Sequence, residues 1–139
     1  MVLVDGQGIP LGVHLSPANL AESQLAEATL AAVAVPRTGP GRPKQKPARI
    51  VADRGYDSRQ LWERLKQRGI DLIVPHRKNR KHRYQDGRKL RRYRRRWIVE
   101  RTNAWLLNFR RLTVRYDHKL EHYRAFLYLA CALIALRSF

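Results

Sequence analysis

The positive charge of this chain is concentrated in one segment. Residues 77–115 contain sixteen of the 29 Lys and Arg residues, whereas residues 1–35 contain none. Cations at this density repel one another unless counterions neutralise them, so most of the segment must lie at the surface. The whole chain of 139 residues has only 11 acidic residues and a formal net charge of +18. This charge predicts a polyanionic partner, most commonly a nucleic acid.

Other features of the composition exclude whole classes of protein. A hydrophobic fraction of 44% is sufficient for a core, so the chain is not a disordered basic tail. The single cysteine, Cys131, excludes an internal disulfide framework and a cysteine-based zinc finger. The longest apolar run, Phe126–Leu136, is much shorter than the ~20 residues of a membrane span. We therefore expect no membrane partner.

The pattern of apolar and turn residues predicts an α/β fold. Two short strands joined by Gly6-Gln7-Gly8 predict a hairpin over residues 1–16, because glycines favour tight turns. An alanine- and leucine-rich stretch predicts a helix over 19–35. Residues 36–47 are rich in proline and basic residues and predict a linker loop. Residues 48–75 predict a β-α-β unit, whose two strands are expected to be parallel.

A basic loop over residues 76–88 and a helical part over 89–139 complete the predicted architecture. The helical part is expected to contain one long helix from about Lys89 to Arg110 and a last helix from about Leu120 to Arg137. The run Phe126–Leu136 is apolar on nearly every side of this last helix. We therefore expect the last helix to be buried against the rest of the protein.

Two acidic residues are distinguished by their placement. Asp53 follows the first strand of the β-α-β unit, at the carboxyl end where open α/β sheets bind ligands. Glu100 lies in the middle of the long basic helix, where it shares a face with Tyr93 and Arg96 at 100° per residue. Ordinary structural roles fit as well. Asp53 would then cap a turn, and Arg96 and Glu100 would form a surface ion pair.

Three motifs surround these acids. They are Ala52-Asp53-Arg54-Gly55-Tyr56-Asp57-Ser58, Tyr93-x-x-Arg96-x-x-x-Glu100-Arg101, and Trp105-Leu106 followed by Phe109-Arg110-Arg111-Leu112. Together they resemble the motifs of bacterial insertion-sequence transposases of the DDE type. The resemblance implies an RNase H-like fold, in which helices flank a mixed sheet. It also implies cleavage and joining of DNA strands by a cytoplasmic, nucleoid-associated protein.

The resemblance assigns roles to four of these residues. Asp53 and Glu100 correspond to the second and third acids of the catalytic triad and would bind two Mg²⁺ ions, while Tyr93 and Arg96 accompany the glutamate. The physical chemistry agrees with this assignment. In-line attack on a phosphodiester requires an activated nucleophile and a stabilised leaving oxygen, which two divalent ions ~3.5–4 Å apart provide. Carboxylates are the hard oxygen ligands that Mg²⁺ prefers.

Two positions depart from the family pattern. The basic residue that often follows the glutamate by seven positions is replaced by Leu107, with Arg110 and Arg111 nearby. The first catalytic aspartate of the family lies on a central strand that has no counterpart here, and Asp5 is better explained as a turn residue. We therefore expect a partial RNase H-like sheet that lacks its central first strand. The hypothesis that follows is a frameshift fusion, active only with an upstream part that carries the first aspartate.

Eleven cations are predicted to contact the DNA of insertion-sequence ends and targets. Such cations bind phosphates and contribute affinity rather than sequence choice. They are Arg77, Lys78, Arg80, Lys81, Arg83, Arg91, Arg92, Arg94, Arg95, Arg110 and Arg111. A homodimer on DNA is compatible with the resemblance.

Two other functions are compatible with parts of the sequence. The principal alternative is a catalytically inactive DNA-binding remnant, or a regulator that competes with the full transposase. A small RNA-binding protein of the ribosomal type would fit the charge. It would fit neither the apolar last helix nor the placement of Asp53 and Glu100.

Overall fold

The computed structural model combines short strands with helices. It describes residues 1–17, 19–33, 35, 39–40, 46–85 and 87–138. Within these residues it contains a two-stranded antiparallel sheet, a two-stranded parallel sheet and five α-helices. The predicted α/β class is therefore confirmed. The RNase H-like arrangement and the division of the chain into segments stay predictions.

An N-terminal hairpin forms the first sheet. Strand β1 (Val2–Val4) pairs antiparallel with strand β2 (Pro10–Val13), so both strands are shorter than the predicted hairpin over 1–16. Asp5 organises the turn, because its Oδ1 accepts the backbone N–H groups of Gln7 and Ile9, each at 2.8 Å. This contact is the turn role expected for Asp5.

Helix α1 is shorter than predicted. It spans Glu22–Ala31 rather than 19–35, and its N-terminus has no side-chain cap. Packing explains where the helix ends, because Val33 lies outside the helix and is buried, with only 4% of its surface exposed. Of the predicted linker loop over 36–47, residues 36–38 and 41–45 lie outside the described residues.

The β-α-β unit agrees with the sequence. Strand β3 (Arg49–Val51) pairs in parallel with strand β4 (Asp71–Ile73), and helix α2 (Arg59–Gln67) connects them. Ser58 caps α2 by accepting the backbone N–H of Leu61. Leu61 and Leu65 of α2 are completely buried and pack with strand β4 and α1 around one core. The members of this core are Ala26, Leu30, Leu61, Leu65, Ile70, Leu72 and Val74.

The predicted long helix from Lys89 to Arg110 is wrong in its first half. Residues Gly87–Arg96 form a 3₁₀-helix, and helix α3 begins only at Trp97 and ends at Leu107. The reason is a period of three residues. Leu90, Tyr93 and Arg96 face the protein, whereas the cations between them are exposed. A 3₁₀-helix has three residues per turn and keeps such positions on one side.

The C-terminal helices build a second core. Helix α4 (Arg110–Thr113) and helix α5 (Leu120–Leu136) pack with α3 and the hairpin around Leu106, Leu112, Leu127, Ala130 and Ile134. The prediction that the last helix is buried on all sides is wrong, because only one of its faces meets this core. Its opposite face is exposed at Tyr128, Leu129, Leu133 and Leu136. No helix of the described residues is long and apolar enough to cross a membrane.

The hairpin turn is fixed to α3 at Gly8. The Thr102 hydroxyl donates a 2.7 Å hydrogen bond to the Gly8 carbonyl, and the Arg101 guanidinium donates to the Gln7 carbonyl. Gly8 has a φ of +95°, and a Cβ there would lie 2.9 Å from the Thr102 hydroxyl. Only glycine fits this approach without strain.

Gly8→Ala is therefore expected to destabilise the fold by about 2 kcal/mol, through both the clash and the positive φ. Chemical denaturation followed by circular dichroism measures this change. Gly6→Ala is the matched control in the same turn, because a Cβ at Gly6 would meet nothing within 4 Å. Equal stability of the two variants would contradict the proposed contact.

Candidate functional site

Both predicted acids lie at the ends of regular elements. Asp53 follows β3 and caps a 3₁₀ turn over Arg54–Tyr56, accepting the Arg54 N–H at 2.5 Å. Glu100 stands in the first turn of α3. Their side chains are 49% and 57% exposed, so both carboxylates are open to solvent and to a ligand.

Arg96 joins the two acids. Its Nη1 lies 3.1 Å from Asp53 Oδ1, and its Nη2 lies 2.7 Å from Glu100 Oε1. Arg96 Nη1 also donates to the Tyr93 hydroxyl at 2.9 Å, and that hydroxyl donates to Asp53 Oδ1 at 3.4 Å. The four residues assigned by resemblance thus form one connected network. Their catalytic roles stay predictions.

The electrostatics of this network keep Arg96 charged. The hydrogen bond with Tyr93 raises the pKa of Arg96, burial opposes this, and the charges of Asp53 and Glu100 raise it further. The guanidinium therefore lies as a permanent cation between two carboxylates. Carboxylate oxygens are hard donors that suit a metal ion such as Mg²⁺, and in this structure both carboxylates pair with the guanidinium. In the described part of the chain, no group of three or more His, Cys, Asp or Glu side chains converges to bind a metal.

A cavity of about 270 Å³ separates the two sheets. Its lining combines Leu3 of β1 with Val51 of β3, and it includes Asp53, Arg96 and Glu100. Among the described strands, β1 pairs only with β2 and β3 only with β4, so each sheet has an unpaired edge beside this cavity. The deeper lining is apolar and comes from the core under both sheets.

Most of the predicted DNA-binding cations lie at the surface. Lys78, Lys81 and Arg83 are exposed in the segment after β4. The cations of the 3₁₀-helix are exposed on the two sides that face away from the protein, at Arg91, Arg92, Arg94 and Arg95. None of these seven residues forms an ion pair with another described residue.

Three predicted contacts have a different setting. Arg80 is half-buried, and its guanidinium pairs with Asp57 at 3.1 Å. Arg111 is exposed but lies 3.7 Å from Asp117 and over the Phe126 ring. Arg77 is exposed, and its backbone N–H donates to Asp57.

The position of the family's missing basic residue also has a clear setting. Leu107 is 60% exposed. Arg110 stands three residues later and is exposed at the start of α4.

Sequence reasoning missed two supporting contacts. Arg101 lies between two aromatic rings, 4.9 Å from the Trp97 centroid and 4.6 Å from the Trp105 centroid. The four-residue spacing of these three residues on a helix could have predicted this stack. The second missed residue is Asp57, a buried acid with partners in the basic segment. It belongs to a motif quoted above, where no separate role was assigned to it.

Comparison with known proteins adds a family to this geometry. The family model described as a transposase DDE domain matches residues 1–136. A protein named as a transposase for insertion sequence element IS402, from Burkholderia cepacia, is 38% identical over 133 residues. The match covers 96% of this chain and 60% of the length of that relative. No solved structure matches the chain.

Proposed function

Because this chain belongs to the family of transposase DDE domains, we propose that it is part of the catalytic domain of an insertion-sequence transposase. The reaction is metal-dependent cleavage of DNA strands at the ends of the element and their transfer to target DNA. One observation carries the proposal, namely that Arg96 bridges Asp53 and Glu100 through its two terminal nitrogens. The exposed arginines of the 3₁₀-helix that ends at Arg96 support a DNA substrate.

Asp53 and Glu100 are the residues that would hold Mg²⁺. Their oxygens are hard donors, and their exposure leaves room for water and substrate phosphate around an ion. Two such ions, when bound, would activate the nucleophile and stabilise the leaving oxygen. Arg96 keeps the two carboxylates close together, and Tyr93 orients Arg96 through its hydroxyl.

We further propose that the cavity between β1 and β3 receives a strand from an upstream part of the transposase. A strand there would satisfy the unpaired edges of both sheets and cover the apolar lining. It would join the two small sheets into one mixed, RNase H-like sheet. An aspartate on it would complete the triad with Asp53 and Glu100. The relative's extra length is consistent with such a part.

A second candidate function is a catalytically inactive DNA-binding regulator. It is favoured by the two-carboxylate site, because no third metal-ligating side chain of the described residues converges there. In this case the chain would occupy transposon ends without cleaving them.

The deciding experiment compares two proteins on labelled duplex DNA that carries the ends of the element. One is the 139-residue chain, and the other is a fusion with an upstream part that includes an aspartate-bearing strand. We expect Mg²⁺-dependent cleavage by the fusion only, and none after chelation of the metal. Cleavage by the 139-residue chain alone would disprove the need for an upstream strand. A fusion that binds DNA but never cleaves it would favour the regulator.

A further inference from the structure

Asp57 is a buried carboxylate surrounded by donors from one segment. Its side chain has no exposed surface. Its oxygens accept the backbone N–H of Arg77 at 2.7 Å and contact the guanidinium of Arg80 at 3.1 Å. The Tyr84 hydroxyl donates to the same carboxylate, and His76 Nδ1 lies 3.1 Å away. Four residues between positions 76 and 84 therefore meet at one anion.

The surroundings keep this carboxylate ionised. Burial by itself would raise the pKa of Asp57, but the hydrogen bonds from Tyr84, Arg77, His76 and Arg80 outweigh it and hold the pKa well below its ordinary value. Burial and the bond to Asp57 raise the pKa of Tyr84 to about 12, so Tyr84 stays a donor. A buried carboxylate with such hydrogen bonds stabilises the structure only while its donors are in place, because a buried charge without donors is unfavourable.

Further contacts hold the segment to the β-α-β unit. Arg80 Nη2 donates to the Asp57 carbonyl at 2.7 Å, so Arg80 binds both the side chain and the backbone of Asp57. The ring of Tyr84 lies 5.4 Å from that of Trp62 on α2 and packs edge-on against His76. These contacts leave Arg80 half-buried, while Lys81 next to it is exposed.

The same short turn carries Asp53 and Asp57. Asp53 precedes the turn Arg54–Tyr56 and Asp57 follows it, and the Tyr56 N–H donates to the Asp53 carbonyl at 2.9 Å. The side chain of Asp53 is open to solvent and pairs with Arg96, whereas the side chain of Asp57 is buried under residues 76–84. This turn therefore fixes the position of residues 76–84 relative to Asp53, the candidate metal ligand.

A groove of about 630 Å³ lies between α2 and residues 77–84. Its lining includes the cations Arg59, Arg77, Arg80 and Lys81, with Trp62 beside them. Arg59 also pairs with Glu63, and Arg80 pairs with Asp57. Cations that converge with an aromatic side chain suit a phosphodiester backbone and its bases. The chemical class that fits this groove is a strand of nucleic acid.

We propose that Asp57 is a positioning residue, which holds residues 76–84 so that their exposed cations bind a DNA strand in this groove. In this proposal, Arg80 binds the carboxylate of Asp57 and does not bind DNA phosphate. This assignment rests on the proposed DNA function, and it replaces a DNA contact at Arg80 by a structural one.

The test measures binding of the 139-residue chain to labelled duplex DNA by fluorescence anisotropy over a series of salt concentrations. Asp57→Asn is expected to weaken binding about tenfold, because the segment must now be ordered on binding. The slope of log affinity against log salt should not change, since every cation is still present. Arg80→Gln should give the same tenfold loss with the same slope, and the double variant should lose no more than either single variant.

Two controls separate positioning from direct contact. Lys81→Gln should lower the salt slope by about 0.9, as the loss of one phosphate contact does. Asp71→Asn removes the same charge as Asp57→Asn from a half-buried acid that pairs with Lys89 at 2.8 Å. It should bind DNA at least as well as the wild type. Hydrogen exchange should show lost protection in residues 76–84 of Asp57→Asn and preserved protection in β3 and β4.

Several outcomes would overturn the proposal. A slope lowered by about 0.9 in Arg80→Gln would show that Arg80 binds phosphate. Wild-type affinity of Asp57→Asn would show that the anchor is dispensable. If Asp57→Asn does not fold, Tyr84→Phe removes a single donor, and unchanged affinity in that variant would refute the proposal equally. A wild-type chain without salt-dependent DNA binding would instead refute the proposed function.

Discussion

Replacing Asp53 by Asn, or Glu100 by Gln, is expected to lower the rate of DNA cleavage by the fused transposase about 10³-fold or more. Each change keeps the shape of the side chain and removes one negative charge. An amide oxygen is a much weaker ligand for Mg²⁺ than a carboxylate oxygen, so an ion would be held poorly. Gel analysis of labelled transposon ends, under single-turnover conditions, gives the rate.

DNA affinity should respond in the opposite direction. Both carboxylates are exposed, and each lies beside Arg96, which binds them at 3.1 and 2.7 Å. Removing a negative charge there reduces repulsion of the phosphate backbone, so we expect equal or tighter binding. A variant that lost affinity and cleavage together would indicate a folding defect instead.

Two control variants test whether the loss of any acidic residue, rather than of one in the site, lowers the cleavage rate. Glu121→Gln and Asp71→Asn make the same chemical changes at acids outside the site: Glu121 is exposed in the first turn of α5, and Asp71 pairs with Lys89 at 2.8 Å. Both variants should cleave at the wild-type rate. Full activity of Glu100→Gln would remove Glu100 from the site. Partial recovery of Asp53→Cys by Mn²⁺, which accepts sulfur better than Mg²⁺ does, would support direct metal binding.

Local rules predicted the parts of the fold that depend on neighbouring residues. The β-α-β unit followed from strand, cap and turn residues close together in sequence, and Ser58 caps α2 as expected. The grouping of Arg96 with Glu100 followed from helical spacing. Contact of Arg96 with Asp53 depends on the packing of the 3₁₀-helix beside β3, which no local pattern defines.

The errors have physical causes as well. A period of 3.6 residues was applied to Gly87–Arg96, where Leu90, Tyr93 and Arg96 recur every three residues and form a 3₁₀-helix. The role of Asp57 depends on partners about 20 residues away in the chain, so its motif alone could not show it. Apolar residues all around α5 did not ensure burial, because the described chain covers only one side of it.

Neutralising the exposed side of the 3₁₀-helix is expected to have the second large effect. The 139-residue chain should bind duplex DNA about 10³-fold more weakly near 0.1 M salt when four of its arginines become Gln, and its salt slope should fall by about 3.6. The fold should be unaffected, since none of the four forms an ion pair with another described residue. The four residues are Arg91, Arg92, Arg94 and Arg95.

A two-residue comparison controls for net charge. Replacing Arg94 and Arg95 by Gln should lower the slope by about 1.8, whereas replacing Arg64 and Arg68 should change it little. Arg64 and Arg68 carry the same charge but pair with Glu27, at 2.7 and 3.9 Å. Equal slopes in the two variants would show that net charge alone attracts DNA. A lower slope in the Arg94 and Arg95 variant only would indicate that the DNA lies along the 3₁₀-helix. This helix ends at Arg96, which lies between the two candidate metal ligands.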